Sequence, residues 1–474
     1  MKRWDAIVVG SGPNGLAAAV ALARAGHSVK VIEGQPTLGG GARTLELTLP
    51  GFQHDLCSAI HPMALASPFF RELELEKLGV DFIHSPYPLV HPLEGGRVAV
   101  LERSVEATAA RLGRDERAWL RVMQPLARDF DVVKHLALSP VTRPPLGAPV
   151  GAARFGLQAL QSAFWFAEEN FETAEAKALL AGCAAHSFAP LDAPLTNAIA
   201  LVLALLGQVV GWPLVKGGSQ RLIDALLAVL LRNGGEVERS WPVTSLAELP
   251  DAKLVLFDTH AEVVERICGD ALPGWYRALL RSFRRGPGVF KIDYALSGPM
   301  PWRNPEAAHA ATLHLGGTLR ELTESEAQHT RGEIPARPYV LVAQQSLFDA
   351  TRAPAGQHTL WAYCHVPNGS DADATRELEA QLERWAPGFQ RLVLAKAVKR
   401  TSHFEAMNAA YVGGDISGGA VDGLQTFFRP AIGFSYATPN PRLLICSSST
   451  PPGPAVHGMC GYWAAQAALK KLRA

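Results

Sequence analysis

The chain of 474 residues is about three times the usual length of one domain, so two or three packed units are expected. With 48% hydrophobic and 19% charged residues it has the composition for a large core, which excludes a disordered chain. The formal net charge of +1, with no long block of Lys and Arg, excludes the basic footprint of a nucleic-acid binder.

Met1, Lys2 and Arg3 run almost directly into a short apolar segment that has neither the length nor the small-residue cleavage site of a secretory signal, so a cytoplasmic chain is expected. Ala6, Ile7, Val8 and Val9 make an apolar run of strand length, followed by Gly10-Ser11-Gly12-Pro13-Asn14-Gly15. Residues 16–25 are rich in Ala and Leu and predict a helix, and a second short strand over residues 28–32 ends at Glu33. Strand, G-x-G-x-x-G, helix, strand and acid thus follow one another within about thirty residues, the pattern of a dinucleotide site.

Each part of the pattern has a physical task. Gly10 permits the tight turn, and Gly12 lets the backbone approach a pyrophosphate lying at the helix N-terminus, where free N–H groups and the helix dipole favour negative charge. Gly15 allows the helix to pack closely on the strand. Glu33 can accept hydrogen bonds from both ribose hydroxyls and disfavours a 2′-phosphate. Five residues after Glu33 begins Leu38-Gly39-Gly40-Gly41-Ala42-Arg43-Thr44, a glycine run that lets the chain pass close to a second part of the same cofactor. With no second G-x-G-x-x-G in the sequence, one extended FAD site is expected rather than separate FAD and NAD sites.

Farther along, residues 140–147, 298–301 and 335–338 read as loops or unit boundaries. Phe164, Trp165, Phe166 and Trp212 stand in apolar surroundings, suited to a substrate tunnel or to packed core. Residues 193–215 are uncharged and as one helix would reach about 34 Å. Pro194 and Pro213 bracket them, Asn197 and Gln208 are polar, and Gly207 and Gly211 weaken the helix, so a buried helix is expected and not a membrane span. The loop Lys216-Gly217-Gly218-Ser219 precedes a helix over residues 220–232 and a short strand near Val237. The six cysteines (Cys57, Cys183, Cys268, Cys364, Cys446 and Cys460) lie far apart without C-x-x-C or zinc spacing, so neither a disulfide framework nor a metal site is expected.

Four segments together resemble the phytoene desaturase family of flavoproteins, in its phytoene dehydrogenase-like branch that includes the pyridine nucleotide-disulphide oxidoreductase domain-containing 2 proteins. They are the opening through Leu16, the run Leu49-Pro50-Gly51-Phe52-Gln53-His54-Asp55, the loop at Lys216 to Ser219, and the tail from Gly413-Gly414-Asp415-Ile416 through Arg429-Pro430 to Ser449-Thr450-Pro451-Pro452-Gly453. The resemblance implies an α/β fold in which a Rossmann-type FAD-binding domain is assembled from residues 1–70, 211–290 and 406–474. An α+β substrate domain, residues 71–210 and 291–405, would be inserted between them. Two departures stand out. Many relatives have Arg directly after the paired glycines, where this chain has Gly41 and the nearest arginine is Arg43. The C-terminal loop, usually richer in glycine, here has Pro454 and Ala455 after Gly453.

The resemblance further implies that Asp415, Thr450 and Val456 lie at the cofactor, and that Trp241 to Val243 passes the adenine, with Val243 offering backbone bonds. A helix over residues 456–469 would begin beside the flavin with His457 near the ring, or His457 would simply bond backbone. His61 lies in a segment implied to return toward the flavin, a candidate for orienting substrate or handling a proton. His186, His260, His314 and His403 rank below it. The implied activity is an FAD-dependent oxidoreductase acting on a hydrophobic, isoprenoid or polyene-like substrate, with oxygen or a quinone as electron acceptor. Two alternatives stay open. One is a flavin amine oxidase, whose aromatic cage and flavin-linking cysteine have no clear counterpart beyond Cys446 and Cys460 in name; the other is an FAD-binding protein with a non-redox partner or a lipid-carrier role. A bilayer-resident substrate would call for transient contact with the membrane surface through an apolar mouth between residues 155 and 212.

Overall fold

The apolar run at the start of the chain becomes the strand Trp4–Val9, the middle of a five-stranded sheet in a computed structural model that describes residues 3–473. Met1 and Lys2, part of the expected leaderless start, lie outside the described residues. In spatial order the strands are Leu443–Ile445, Ala252–Phe257, Trp4–Val9, Val29–Ile32 and Glu236–Glu238, every neighbouring pair parallel. Trp4–Val9 and Ala252–Phe257 are apolar nearly throughout because both faces are covered. Helices Pro13–Arg24, Gln220–Arg232 and Met459–Arg473 pack on one face, and Ala261–Cys268 with Gly274–Ser282 on the other.

From Trp4–Val9 the chain passes to Val29–Ile32 on one side, and much later Ala252–Phe257 joins on the other. Such a reversal of strand order opens a crevice at the carboxyl ends of the strands. Gly10 and Asp258, the residues that follow Val9 and Phe257, stand at its lip.

A second sheet has seven strands in the order Val393–Lys399, Gly288–Leu296, His358–Val366, Val340–Ala343, Thr312–Leu315, Leu89–Leu93 and Arg97–Leu101. All neighbours are antiparallel except Thr312–Leu315 beside Leu89–Leu93. Gly288–Leu296 straddles the boundary expected at residue 290. Helix Thr375–Trp385 packs on one face, and the other carries helices that include Glu116–Arg128, Ala174–Ala184 and Thr196–Val209.

Thr196–Val209 is the uncharged segment that the sequence marks as a buried helix. It spans 14 residues: Leu195 with φ 73° precedes it, and Gly211 with φ +88° lies just beyond its end. Among the described residues no helix is long and apolar enough to cross a membrane.

Buried charges gather around the short strand Gln53–Asp55 and the seven-stranded sheet. Asp55, at the end of the short strand Gln53–Asp55, accepts from Thr44 Oγ1 at 2.8 Å and from Ser219 N at 2.9 Å and pairs with Arg352. Asp293 in the second sheet pairs with Lys291 and, at 3.1 Å, with Lys399, while His54 Nδ1 stands 3.6 Å away. Asp55, Arg352, Asp293, Lys291, Lys399 and His54 are all buried, and each of the two carboxylates has a cation against it.

Candidate functional site

The glycine loop is built around Asp258. A Cβ on Gly12 would meet Asp258 Oδ2 at 2.6 Å, and one on Gly15 would strike Gly10 O and the same carboxylate. Gly10 sits at φ +101°, which its neighbours could not adopt without strain. Helix Pro13–Arg24 begins with Gly12 as its cap and with no side-chain cap bond; Pro13 has no N–H and Gly15 N donates to Asp258 Oδ2 at 2.8 Å, so Asn14 N is the first-turn donor left for a ligand. Burial raises the Asp258 carboxyl to about 7.

Glu33 locks this loop to the second glycine run. Its Oε2 accepts from Ser11 N at 2.9 Å and Ser11 Oγ at 2.6 Å, and its Oε1 from Gln35 N at 2.8 Å. Ser11 Oγ in turn accepts from Gly39 N at 3.1 Å. Oε1 is therefore the oxygen with capacity left for a ribose hydroxyl, one acceptor where the sequence suggests two. Gly40 packs so close to the first loop that a Cβ there would lie 3.2 Å from Gly12 Cα. At Gly41 a Cβ would overlap the Tyr411 hydroxyl, which explains why this slot holds glycine. Arg43 is tied to Gly40 O at 2.8 Å, Thr37 Oγ1 at 3.1 Å and Met407 O at 2.8 Å. Three of its five N–H groups thus bind the protein, and two remain for a phosphate.

These residues line one end of a cavity of about 470 Å³. Gly10, Gly12, Glu33, Gly40, Gly41, Arg43 and Val243 border that end, and Val456 also lines the wall. Trp241 to Val243 is held there because Trp241 N donates to Glu33 O at 2.9 Å. The cavity continues past His61 into an arm bordered by Ile199, Val202, Leu203, Trp212 and Leu341, and by the aromatic rings of Trp361, Tyr363 and Tyr411.

His61 lies on the wall of this cavity. Ser219 Oγ donates to Ser58 O at 2.6 Å, so at its 2.8 Å contact with His61 it accepts from Nε2–H. The Nδ1 lone pair is buried and bonds nothing, and burial lowers the imidazole to about 4.

Other candidates stand behind the wall. His457 is fully buried and does not line the cavity; its Nδ1 accepts from Met459 N at 2.9 Å, and Ser67 Oγ donates to its carbonyl at 2.7 Å. Of the two readings of His457, the structure thus displays the backbone-bonding one. The C-terminal helix starts at Met459, three residues later than expected, because Gly458 at φ +68° interrupts it. Asp415 is buried away from the cavity, where it accepts from Gly286 N, Ser417 N and Gly419 N, each at 2.7 Å, and so fixes Ile416 and Ser417, which do line it. Thr450 Oγ1 donates to Ser447 O at 2.7 Å and holds the turn that presents Ser447 and Ser448. Gly15 packs under the loop. Cys446 and Cys460 are buried off the cavity. Phe166 is core and Trp165 is 59% exposed, so of the four aromatic tunnel candidates only Trp212 reaches the cavity.

Sequence reasoning missed Asp258, Thr312, Trp361, Tyr363 and Tyr411, and ranked His186 below His61 although both line the cavity. Asp258 carries a readable signal, since an apolar run ending in an acid repeats the pattern that marks Glu33. The aromatic group has none, because it is assembled by the strand His358–Val366 and a loop some fifty residues later. Trp361 and Tyr363 meet edge to face with ring centroids 5.0 Å apart, and beneath Trp361 lies Lys291, its Nζ 5.4 Å from the ring.

Comparison with known proteins agrees with this geometry. The model of an NAD(P)-binding Rossmann-like domain matches residues 8–73. The chain is 25% identical to pyridine nucleotide-disulfide oxidoreductase domain-containing protein 2 of Rattus norvegicus, over 99% of this chain and 94% of that protein. It is 25% identical to phytoene dehydrogenase of Streptomyces griseus, over 78% of this chain and 74% of that protein. Among solved structures, an oxidoreductase from Methanosarcina mazei superposes with a TM-score of 0.66 at 17% identity, covering 97% of this chain and 99% of that one. A triple mutant of putrescine oxidase gives 0.63 at 18% identity, covering 100% and 99%. The fold is that of the FAD-binding oxidoreductases.

Proposed function

We propose that this chain, a homologue of the pyridine nucleotide-disulfide oxidoreductase domain-containing 2 proteins and of phytoene dehydrogenase, is an FAD-dependent oxidoreductase that removes or adds hydrogen on a hydrophobic, isoprenoid or polyene-like substrate. One observation carries the reading: a single cavity joins a glycine cradle suited to a dinucleotide with an arm whose walls are mostly aliphatic and aromatic. Gly10, Gly12, Gly15 and Glu33 would hold the AMP half of FAD, with Gly40, Gly41, Arg43 and Val243 close by; Asp415, Thr450 and Val456 would shape the loops facing its other end. When bound, FAD supplies the two-electron exchange with a substrate carbon. The chain's own residues bind and orient the substrate and keep out water. The neutral His61 presents Nδ1 as the atom able to hold a proton. Residues 1–70, 211–290 and 406–474 serve the cofactor in this reading, and 71–210 with 291–405 serve the substrate.

Membrane-surface contact belongs to the same reading. Among the described residues, 14 large hydrophobic side chains are exposed, and six of them (Val141, Leu146, Val150, Leu157, Leu160 and Trp165) lie within residues 141–165, beside the helices that roof the arm. Such a concentration suits shallow docking on a neutral lipid surface.

Amine oxidation is the second reading, favoured by the three aromatic rings at the cavity wall, which could face a cation. Against it, the acids that line the cavity are Glu33 and Asp258, both at the glycine end. Anaerobic mixing of the flavin-loaded protein with farnesene and, separately, with putrescine decides between them. Loss of visible flavin absorbance with farnesene supports hydrocarbon chemistry, whereas loss with putrescine alone transfers the activity to amines.

A further inference from the structure

The far end of the arm contains polar atoms that a pure hydrocarbon would leave bare. His186, on the turn Ala185–Ser187 after helix Ala174–Ala184, lines the cavity, and every bond it makes to the protein is made by Nε2. That atom lies 3.0 Å from His314 Nε2 and 3.3 Å from Tyr339 Oη.

The Tyr339 hydroxyl is also 3.3 Å from Gly182 O, and a carbonyl can only accept. The phenolic proton therefore points to Gly182, the phenolic oxygen accepts from His186 Nε2–H, and His314 Nε2 turns its lone pair toward the same proton. The network so assigns the tautomer of His186: Nε2 carries the proton and Nδ1 keeps a lone pair. Nδ1 has no bond to the protein and is open to the cavity. Burial lowers His186 to about 3 and His314 well below its ordinary value, so both rings are neutral at physiological pH.

Two more residues that line the cavity carry unpartnered polar atoms. Thr312 lines the cavity one strand pleat from His314, on the same face of Thr312–Leu315, and its Oγ1 is buried without a partner. Trp361 Nε1, also at the wall, is buried and unpartnered as well. Each such atom costs about 1–3 kcal/mol unless a ligand or water satisfies it.

We propose that the far end of the arm reads a hydroxyl group, whose O–H donates to His186 Nδ1. The ligand class is thereby a hydrophobic alcohol rather than a hydrocarbon or an acid. A carboxylate would set its negative charge against the Nδ1 lone pair with no cation beside it. The inference rests on the reading that the arm takes a hydrophobic substrate. Tyr339 is a positioning residue, acting through His186 by fixing its tautomer.

The test uses the flavin-loaded protein and three probes of one carbon skeleton, namely farnesol, farnesyl methyl ether and farnesoic acid, with binding read from the perturbed flavin absorbance. Farnesol is expected to bind at least tenfold more tightly than its methyl ether, which can accept but cannot donate, and farnesoic acid should be weakest. In His186→Leu the preference for alcohol over ether should vanish by loss of farnesol affinity, with ether affinity unchanged; in Tyr339→Phe it should shrink in part. Equal binding of alcohol and ether by the unaltered protein overturns the proposal and leaves the hydrophobic arm standing, and this comparison needs no variant to fold. A preference that survives His186→Leu also overturns it. Binding of none of the three removes the hydrophobic-substrate reading and the proposal together.

Discussion

The two ends of the cavity are built differently. At the glycine end the ligand would meet backbone, at Gly10, Gly12, Gly40 and the first turn of helix Pro13–Arg24, with two acids, Glu33 and Asp258, beside it. In the arm it would meet side chains, drawn from positions as distant as His186, Thr312, Trp361 and Tyr411. A backbone cradle recognises a pyrophosphate by geometry and dipole, which tolerates little change. A side-chain pocket can be relined by substitution without altering the fold, which is how one architecture accommodates many substrates.

The largest effect is expected behind both ends, at the buried pair of Asp55 and Arg352. Asp55→Ala would leave Arg352 buried without its carboxylate, and a loss of about 3–5 kcal/mol in urea unfolding of the flavin-loaded protein is expected. Additional replacement of Arg352 by Met should recover part of that loss. Recovery of none would show that the loss does not come from the unpaired Arg352 charge.

Gly12→Val sharpens the contrast at the glycine end. Its side chain would collide with Asp258 and with the space open to a pyrophosphate, so FAD affinity should fall about a hundredfold or more while the circular dichroism spectrum is kept. His186→Leu, at the other end, should leave FAD occupancy unchanged.

Asp258 makes the glycine end sensitive to pH. Its folded pKa of about 7 exceeds the ordinary carboxyl value of 3.8, so the folded chain holds a proton that the unfolded chain releases between those two values. Stability from this group is therefore greatest at low pH and is lost as pH rises toward 7, the reverse of a salt-bridged carboxylate. A pyrophosphate nearby favours the protonated form further, so FAD affinity should weaken by about tenfold per pH unit once Asp258 ionises. Asp258→Asn should flatten that profile; an unchanged profile would place the titrating group elsewhere.

The smallest effect is at the surface. Leu157→Glu with Trp165→Glu should reduce flotation with neutral phosphatidylcholine vesicles by a few-fold and leave FAD binding intact. Binding that needs anionic lipid and vanishes in salt would contradict an apolar contact.

The same contrast governs what could be read from the sequence. Gly10, Gly12, Gly15 and Glu33 fall within one strand, helix and strand, so local spacing exposes both their fold and their chemistry. The helix Gln220–Arg232 was legible for the same reason, its apolar stripe and its glycine-rich entry being contiguous. Nothing local announces that Tyr411 fills the space above Gly41, or that Tyr339 and His314 set the proton on His186. Those relations arise from strand pairings between residues far apart in the chain, such as Leu341 with His314. His457 illustrates the converse: its place beside a conspicuous loop suggested chemistry, whereas Gly458 and the late start of the C-terminal helix turn it into a backbone cap.

The central claim, that the glycine end holds FAD, is tested most directly by denaturing the purified protein and identifying what it releases. One FAD per chain is the predicted result. Release of NAD or NADP in its place, or a fully folded protein that carries no flavin and takes up none from added FAD, would contradict it.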